Sequence, residues 1–423
     1  MIPELRERFN QDFVPERYAS LLAELNKECG AAVEFRVAET PIFVPRTLLD
    51  EMAASGAKMA HHLIGDPVYL EAARKAIPAA YRVAAETPHP HFLTSDFALV
   101  RDAAGALVPR LVEIQAFPSV YGYQSVLGAE YRKTFNLDSM LGNYLGDLSE
   151  AGYWELLEGT ILGGHNAENV ILTEVDPLHQ KTLPDFNVTA NRFGIAVVDI
   201  SKLEPIGNKL HYRDASGRLV PVHRIYNRAI ADELIARKIQ LPFDLTYPWN
   251  VEWAGHPNWY FLISKFSIPW LSGTRTFPVV PPAVFLTDFL ECDGRSKLEA
   301  AGVNLPAGSS QETVYSELLL KPLFSFAGKG IQFDPTHAQL EAIPPEQRGD
   351  YLLQQRMNFV PTIETPFGLT QAEIRILYLW PDSGKLTPVL SLVRLGRGKM
   401  MGVDHNRNQE WVGASAAFFP IPT

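Results

Sequence analysis

His91-Phe92-Leu93-Thr94-Ser95-Asp96-Phe97-Ala98-Leu99-Val100 leads through Asp102-Ala103-Ala104-Gly105 into Leu107-Val108-Pro109-Arg110-Leu111-Val112-Glu113-Ile114-Gln115. Two β-prone runs around a turn of this composition predict an antiparallel hairpin. Side chains on a strand alternate between faces, so Glu113 and Gln115 point the same way, and around the turn Asp96 falls near Glu113. Two carboxylates and an amide oxygen on one face form a hard oxygen set. Mg2+ accepts such a set, with phosphate oxygens and water completing its shell. A solvated strand face with incidental acids has the same letters. Against that, Leu111, Val112, Ile114 and Phe117 crowd Glu113, and a carboxylate among apolar neighbours needs a partner or a metal.

Outward from the hairpin, the chain has the composition of an ordinary soluble protein. Of its 423 residues 46% are hydrophobic and 20% charged, which excludes a disordered or collagenous chain. A chain of this length exceeds the roughly 250–300 residues at which single cores stop growing, so it divides into two or three packed units. A formal net charge of −10 argues against a nucleic-acid partner. The two cysteines, Cys29 and Cys292, stand apart from any Cys/His cluster, which excludes a thiolate zinc site and fits a reducing compartment. The N-terminus lacks the apolar stretch of a secretory signal, and no apolar run reaches the length of a membrane span. The chain therefore reads as cytoplasmic, with no membrane partner.

The residues before position 90 read mostly as helices, at 17–28, 45–63 and 69–76. Three further helices are expected from about Val120, Ser139 and Glu150. From Asn169 a strand–helix–strand series (170–173, 177–192, 195–200) predicts an α/β unit. A hairpin at 210–213 and 219–225 and a helix at 230–239 follow. Residues 240–285 are rich in proline and aromatics. Strands are expected at 318–321, 331–333, 351–357, 372–380 and 388–394.

Several segments in this framework can carry chemistry. In Leu320-Lys321-Pro322-Leu323-Phe324-Ser325-Phe326-Ala327-Gly328-Lys329-Gly330 a lysine ends an apolar strand and a small-residue loop follows. Small residues let backbone amides approach a phosphate, and the lysine adds charge. The spacing is not that of a Walker A loop, and a hairpin whose glycines merely permit a tight turn would look alike. Lys265, amid aromatics, either snorkels to solvent or meets an anion. Gln354-Gln355-Arg356-Met357 ends a strand and can present edge backbone groups to a nucleobase, or is an ordinary strand end. Arg375, Arg394 and Arg397, with Lys399, are either a surface charge run or a bidentate anion clamp.

Acidic hairpin, lysine, second lysine with a glycine-bearing loop, then a polar strand end: this order resembles the ATP-grasp superfamily in circularly permuted form, as in the glutathionylspermidine synthetase-like proteins. It also resembles a group of uncharacterised bacterial ATP-grasp-like proteins in Glu113-Ile114-Gln115-Ala116-Phe117-Pro118-Ser119, in Lys321 to Gly328 and in Gly398-Lys399-Met400-Met401-Gly402-Val403. The resemblance covers about residues 90–415. It implies an α+β, α/β fold that is ATP-grasp-like and circularly permuted. Its expected parts are a mostly helical segment (1–90), a metal-binding hairpin with helices (91–165), a pre-ATP-grasp-like α/β domain (166–285) and an ATP-binding subdomain (286–423).

The resemblance further implies ATP and Mg2+ as cofactors, with Asp96, Glu113 and Gln115 on the metal. ATP would contact Lys265, Lys321, a lid of Ser325, Phe326, Ala327, Gly328, Lys329 and Gly330, and a hinge of Gln354, Gln355, Arg356 and Met357. The activity implied is that of an ATP-dependent carboxylate–amine ligase working through an acyl phosphate on small-molecule acid and amine partners. Gln115 replaces the family's asparagine. Thr94 stands where the synthetases carry an arginine associated with the phosphate in transfer, a role that passes to Arg375, Arg394 or Arg397. That departure keeps two other readings in play, a nucleotide-binding module without turnover and a small-molecule kinase.

Overall fold

The computed structural model describes residues 1–273, 276–308, 310–325, 328–401, 406 and 408–421. The quoted segment forms strands Phe92–Arg101 and Leu107–Gln115, paired antiparallel with Thr94 opposite Gln115 and Asp96 opposite Glu113. The register shifts between Asp96 and Phe97, so the carboxylate pair sits at an irregularity of the ladder. Bulges of this kind re-aim side chains.

The hairpin is one end of an eight-stranded sheet. Its next neighbours come from far along the chain: Gly368–Leu379, then Thr387–Gly396, then Gly413–Pro420, then the short strand Ile42–Phe43. Registers place Arg375 beside Asp96, and Glu373 beside Arg394. Thr94, Asp96, Glu113, Gln115, Glu373, Arg375 and Arg394 therefore share one face, two residues apart along each strand. Helix Tyr121–Phe135 follows the hairpin directly.

A second sheet is parallel, with strands Val170–Glu174, Ala196–Asp199, Arg224–Asn227 and Glu252–Ala254. A third is small and antiparallel, in the order Ala283–Phe285, Tyr351–Gln355, Leu318–Pro322, Gln332–Phe333. A three-stranded meander covers Glu204–Ile206, Lys209–Arg213 and Leu219–Pro221. The fold is thus mixed α+β. Helices Pro3–Asp12, Pro15–Glu28, Arg46–Gly65 and Pro67–Lys75 fill the N-terminal segment.

Three local expectations are corrected. No helix begins at Ser139; a short strand, Leu141–Gly142, bridges to Phe419 and Pro420 instead. The helix expected at 177–192 splits into a 3-10 turn, Pro177–His179, and a helix, Leu183–Phe193, with Pro184 in its first turn. The strand expected at 219–225 is two strands in two sheets, because Arg224–Asn227 leaves the meander to pair with Val170–Glu174. No helix among the described residues is long and apolar enough to cross a membrane.

Candidate functional site

The shared face of the large sheet carries a buried charge cluster. Asp96 accepts from Arg375 Nε at 2.6 Å and Nη2 at 2.7 Å, a bidentate pair, and from Arg394 Nη1 at 3.0 Å. Arg394 also pairs with Glu373, and Arg375 donates to Ser119 Oγ at 3.2 Å on the loop leading into helix Tyr121–Phe135. Burial alone would raise the Asp96 carboxyl, but the charges of Arg375 and Arg394 outweigh it and hold that carboxyl below its ordinary range. Burial pushes the Glu373 carboxyl up.

Two lysines approach the same hairpin from the other elements. Lys265, buried, donates to the Ser325 carbonyl at 2.5 Å and lies 3.5 Å from Glu113. Lys321, near the end of its small-sheet strand, donates to the Val112 carbonyl at 3.3 Å. Burial lowers its ammonium to about 8. Four cations (Arg375, Arg394, Lys265, Lys321) thus face three carboxylates (Asp96, Glu113, Glu373). The excess is positive, which suits a phosphate-rich anion. Beside them a narrow crevice is lined by Glu113, Gln115, Tyr260, Ser264, Lys265 and Ser325.

The oxygens open to a cation are those of Glu113 and Gln115. Glu113 has only long contacts, 3.5 Å to Lys265 and 3.7 Å to Arg375. Both Asp96 oxygens already accept guanidinium hydrogens. Among the described residues no group of three or more His, Cys, Asp or Glu is arranged to hold a metal. Two protein oxygens, completed by phosphate and water, still fit Mg2+, which seldom uses an all-protein cage.

The remaining candidates fall into three groups. Arg397 stands away from the cluster, donating to Thr365 Oγ1 at 3.2 Å and the Glu410 carbonyl at 3.0 Å. In the loop Gly328 and Gly330 take positive φ, Lys329 is exposed, and Phe326 and Ala327 lie outside the described residues. At the strand end the Gln355 and Arg356 amides already donate to the Pro282 and Glu317 carbonyls, at 2.8 and 2.7 Å. The Arg356 side chain pairs with Asp334 at 2.8 Å. The Gln354 side chain is fully buried, and Met357 is half-buried. Sequence reasoning missed Glu373, Ser119 and Tyr260. Glu373 was within reach: it lies two residues from Arg375 on one strand, hence on the same face.

No model of a protein family matches the sequence. No curated protein matches it either. Among solved structures, the chain shares the fold of a glutathione synthetase-like effector from Globodera pallida in its apo form. The TM-score is 0.55 at 10% identity, over 97% of this chain and 98% of that one.

Proposed function

We propose that the chain is an ATP-dependent carboxylate–amine ligase, built as a circularly permuted ATP-grasp protein. The observation that carries this reading is the convergence of Lys265, Lys321, Arg375 and Arg394 on the Glu113 hairpin, with net positive charge left for phosphates. The fold shared with a glutathione synthetase-like protein supports it. Chain order supports the permuted form: the hairpin strands precede the glycine-bearing loop, yet pair with Gly368–Leu379, which follows it.

In this reading the two lysines neutralise phosphate charge. Glu113 and Gln115 would hold Mg2+, which when bound offsets charge on the phosphate oxygens. Asp96 reaches a metal only by releasing Arg375, so its first role is to orient the two arginines. Arg375 and Arg394 stabilise the transferring γ-phosphoryl group. A substrate carboxylate takes that group, giving an acyl phosphate, and an amine then displaces phosphate. The substrates are a small-molecule acid and a small-molecule amine, met in the cytoplasm.

The test is ADP release by the purified chain with Mg-ATP across panels of acids and amines. The reading predicts release only when both partners are present, and its loss in Lys265→Met and Arg375→Lys. One observation favours a second reading, a nucleotide-binding module without turnover: Thr94 replaces the arginine expected there, and Asp96 is saturated by Arg375 and Arg394. ATP binding with no ADP from any pair would identify it. A phosphorylated acid made without amine would identify a kinase.

A further inference from the structure

Buried Tyr260 forms a wall between two spaces. On one side it lines the crevice of Glu113, Lys265 and Ser325. On the other it lines a narrow cavity of the parallel-sheet unit, together with Leu234, Leu245, Trp253 and Phe261. That cavity has a topological cause. In the parallel sheet Arg224–Asn227 and Val170–Glu174 are neighbours, with Glu252–Ala254 and Ala196–Asp199 outside them. Strand order therefore reverses between the central pair, where connections diverge and leave a crevice beyond the carboxyl ends. Asn227 and Ala229, at and just past the end of one of the pair, line the cavity.

Among the described residues no charged side chain lines this cavity. The Asn227 amide already donates to the Ala229 carbonyl at 3.1 Å. A carboxylate stands at the cavity's edge. Asp232 lies in sequence between the lining residues Ala231 and Leu234, and its Oδ2 accepts from the Tyr260 hydroxyl at 2.7 Å. Asp232 is half-buried, and among the described residues it pairs with no lysine or arginine. Charge then decides what each side can receive. The crevice has a positive excess from Lys265, Lys321, Arg375 and Arg394, which attracts phosphate and a substrate carboxylate and repels an ammonium. The cavity side offers the reverse, apolar walls and a carboxylate without a cation.

We propose that this cavity is the amine subsite, with Asp232 holding the ammonium and the apolar walls taking the body of the amine. The inference rests on the ligase reading above. The class selected is a short primary amine with an uncharged, apolar body. A second ammonium or a carboxylate on that body would be buried without a partner, which is costly. Tyr260 is a positioning residue: it fixes Asp232 and keeps the bound amine next to the crevice.

ADP release by the full chain with Mg-ATP and the acid panel is measured with isobutylamine, glycine and putrescine as amines. Isobutylamine is preferred in kcat/KM at least about tenfold over the other two. Asp232→Asn keeps an acceptor for the Tyr260 hydroxyl and removes the charge. It raises the KM for isobutylamine about tenfold, while the KM values for ATP and acid hold. Asp232→Glu recovers part of that loss. Leu234→Ala, which enlarges the cavity away from the charge, moves the preference from isobutylamine toward hexylamine. If isobutylamine serves no better than glycine or putrescine, or if Asp232→Asn leaves its KM unchanged, the amine subsite is overturned and the ligase reading stands. If no acid–amine pair yields ADP, both are overturned together.

Discussion

Lys321 shows at single-residue scale how a site group opposes folding. Burial lowers its ammonium from 10.5 to about 8. Below pH 8 the lysine is charged both folded and unfolded, and the full burial penalty stands. Between pH 8 and 10.5 the folded chain sheds the proton while the unfolded chain keeps it, so this group's contribution to stability rises with pH. Lys321→Met is therefore expected to raise the melting temperature at pH 7 while weakening Mg-ATP binding at least about tenfold. If the site holds ATP as proposed, phosphate attraction requires the charged form, so ATP affinity is expected to fall as pH rises through about 8, and Lys321→Arg to flatten that profile. Asp96 has the opposite sign. Its depressed carboxyl contributes stability above 3.8 that is lost as pH falls through the lower folded value. Asp96→Ala leaves buried Arg375 without its bidentate partner, while Arg394 keeps Glu373, and is expected to cost about 3–5 kcal/mol in urea denaturation.

At the scale of elements, the turn between Leu318–Pro322 and Gln332–Phe333 decides whether Ser325 can reach Lys265. Gly330 has φ +79, and a Cβ there would come within 2.9 Å of the Pro322 ring. Alanine is strained at such a φ and crowds the ring, so Gly330→Ala is expected to destabilise by about 1–2 kcal/mol. Its larger effect falls on the loop: the KM for ATP rises, checked by steady-state kinetics of ADP release. The first of these strands, Leu318–Pro322, was legible because three leucines in a row precede turn residues. Strand alternation made the Asp96–Glu113 pairing legible. The engagement of Asp96 by Arg375 and Arg394 was not, because those residues lie 279 and 298 positions away in sequence. Local periodicity carries no information about which distant strand pairs with which. Strand Gly413–Pro420 escaped for a different reason. Its first five residues, Gly413-Ala414-Ser415-Ala416-Ala417, are small and of low β propensity.

Across the whole molecule, the large sheet closes only when the chain's two ends meet. Gly413–Pro420 lies between Thr387–Gly396 and Ile42–Phe43, and also pairs with Leu141–Gly142. Ser415 donates to the Thr40 carbonyl at 2.6 Å, and its own carbonyl accepts from Gln124 at 3.1 Å. One C-terminal strand therefore ties the N-terminal segment, helix Tyr121–Phe135 and the sheet into one core, although every candidate site residue precedes it. The neighbouring strand Thr387–Gly396 carries Arg394, whose position depends on its partners on both sides. Ending the chain at Val412 removes no site residue, yet exposes the apolar flank of Thr387–Gly396 and unpairs Ile42–Phe43. Buried Phe418 and Phe419 are also lost, each worth about 3–5 kcal/mol by the usual cost of truncating a core phenylalanine. That exceeds a large part of the 5–15 kcal/mol that typically separates folded from unfolded chains. The shortened chain is expected to lose its cooperative thermal transition and all nucleotide binding, followed by near-UV circular dichroism and calorimetry. If it instead melts cooperatively and still binds Mg-ATP, the site is held by the hairpin, the strand Gly368–Leu379 and the small sheet without the closing strand.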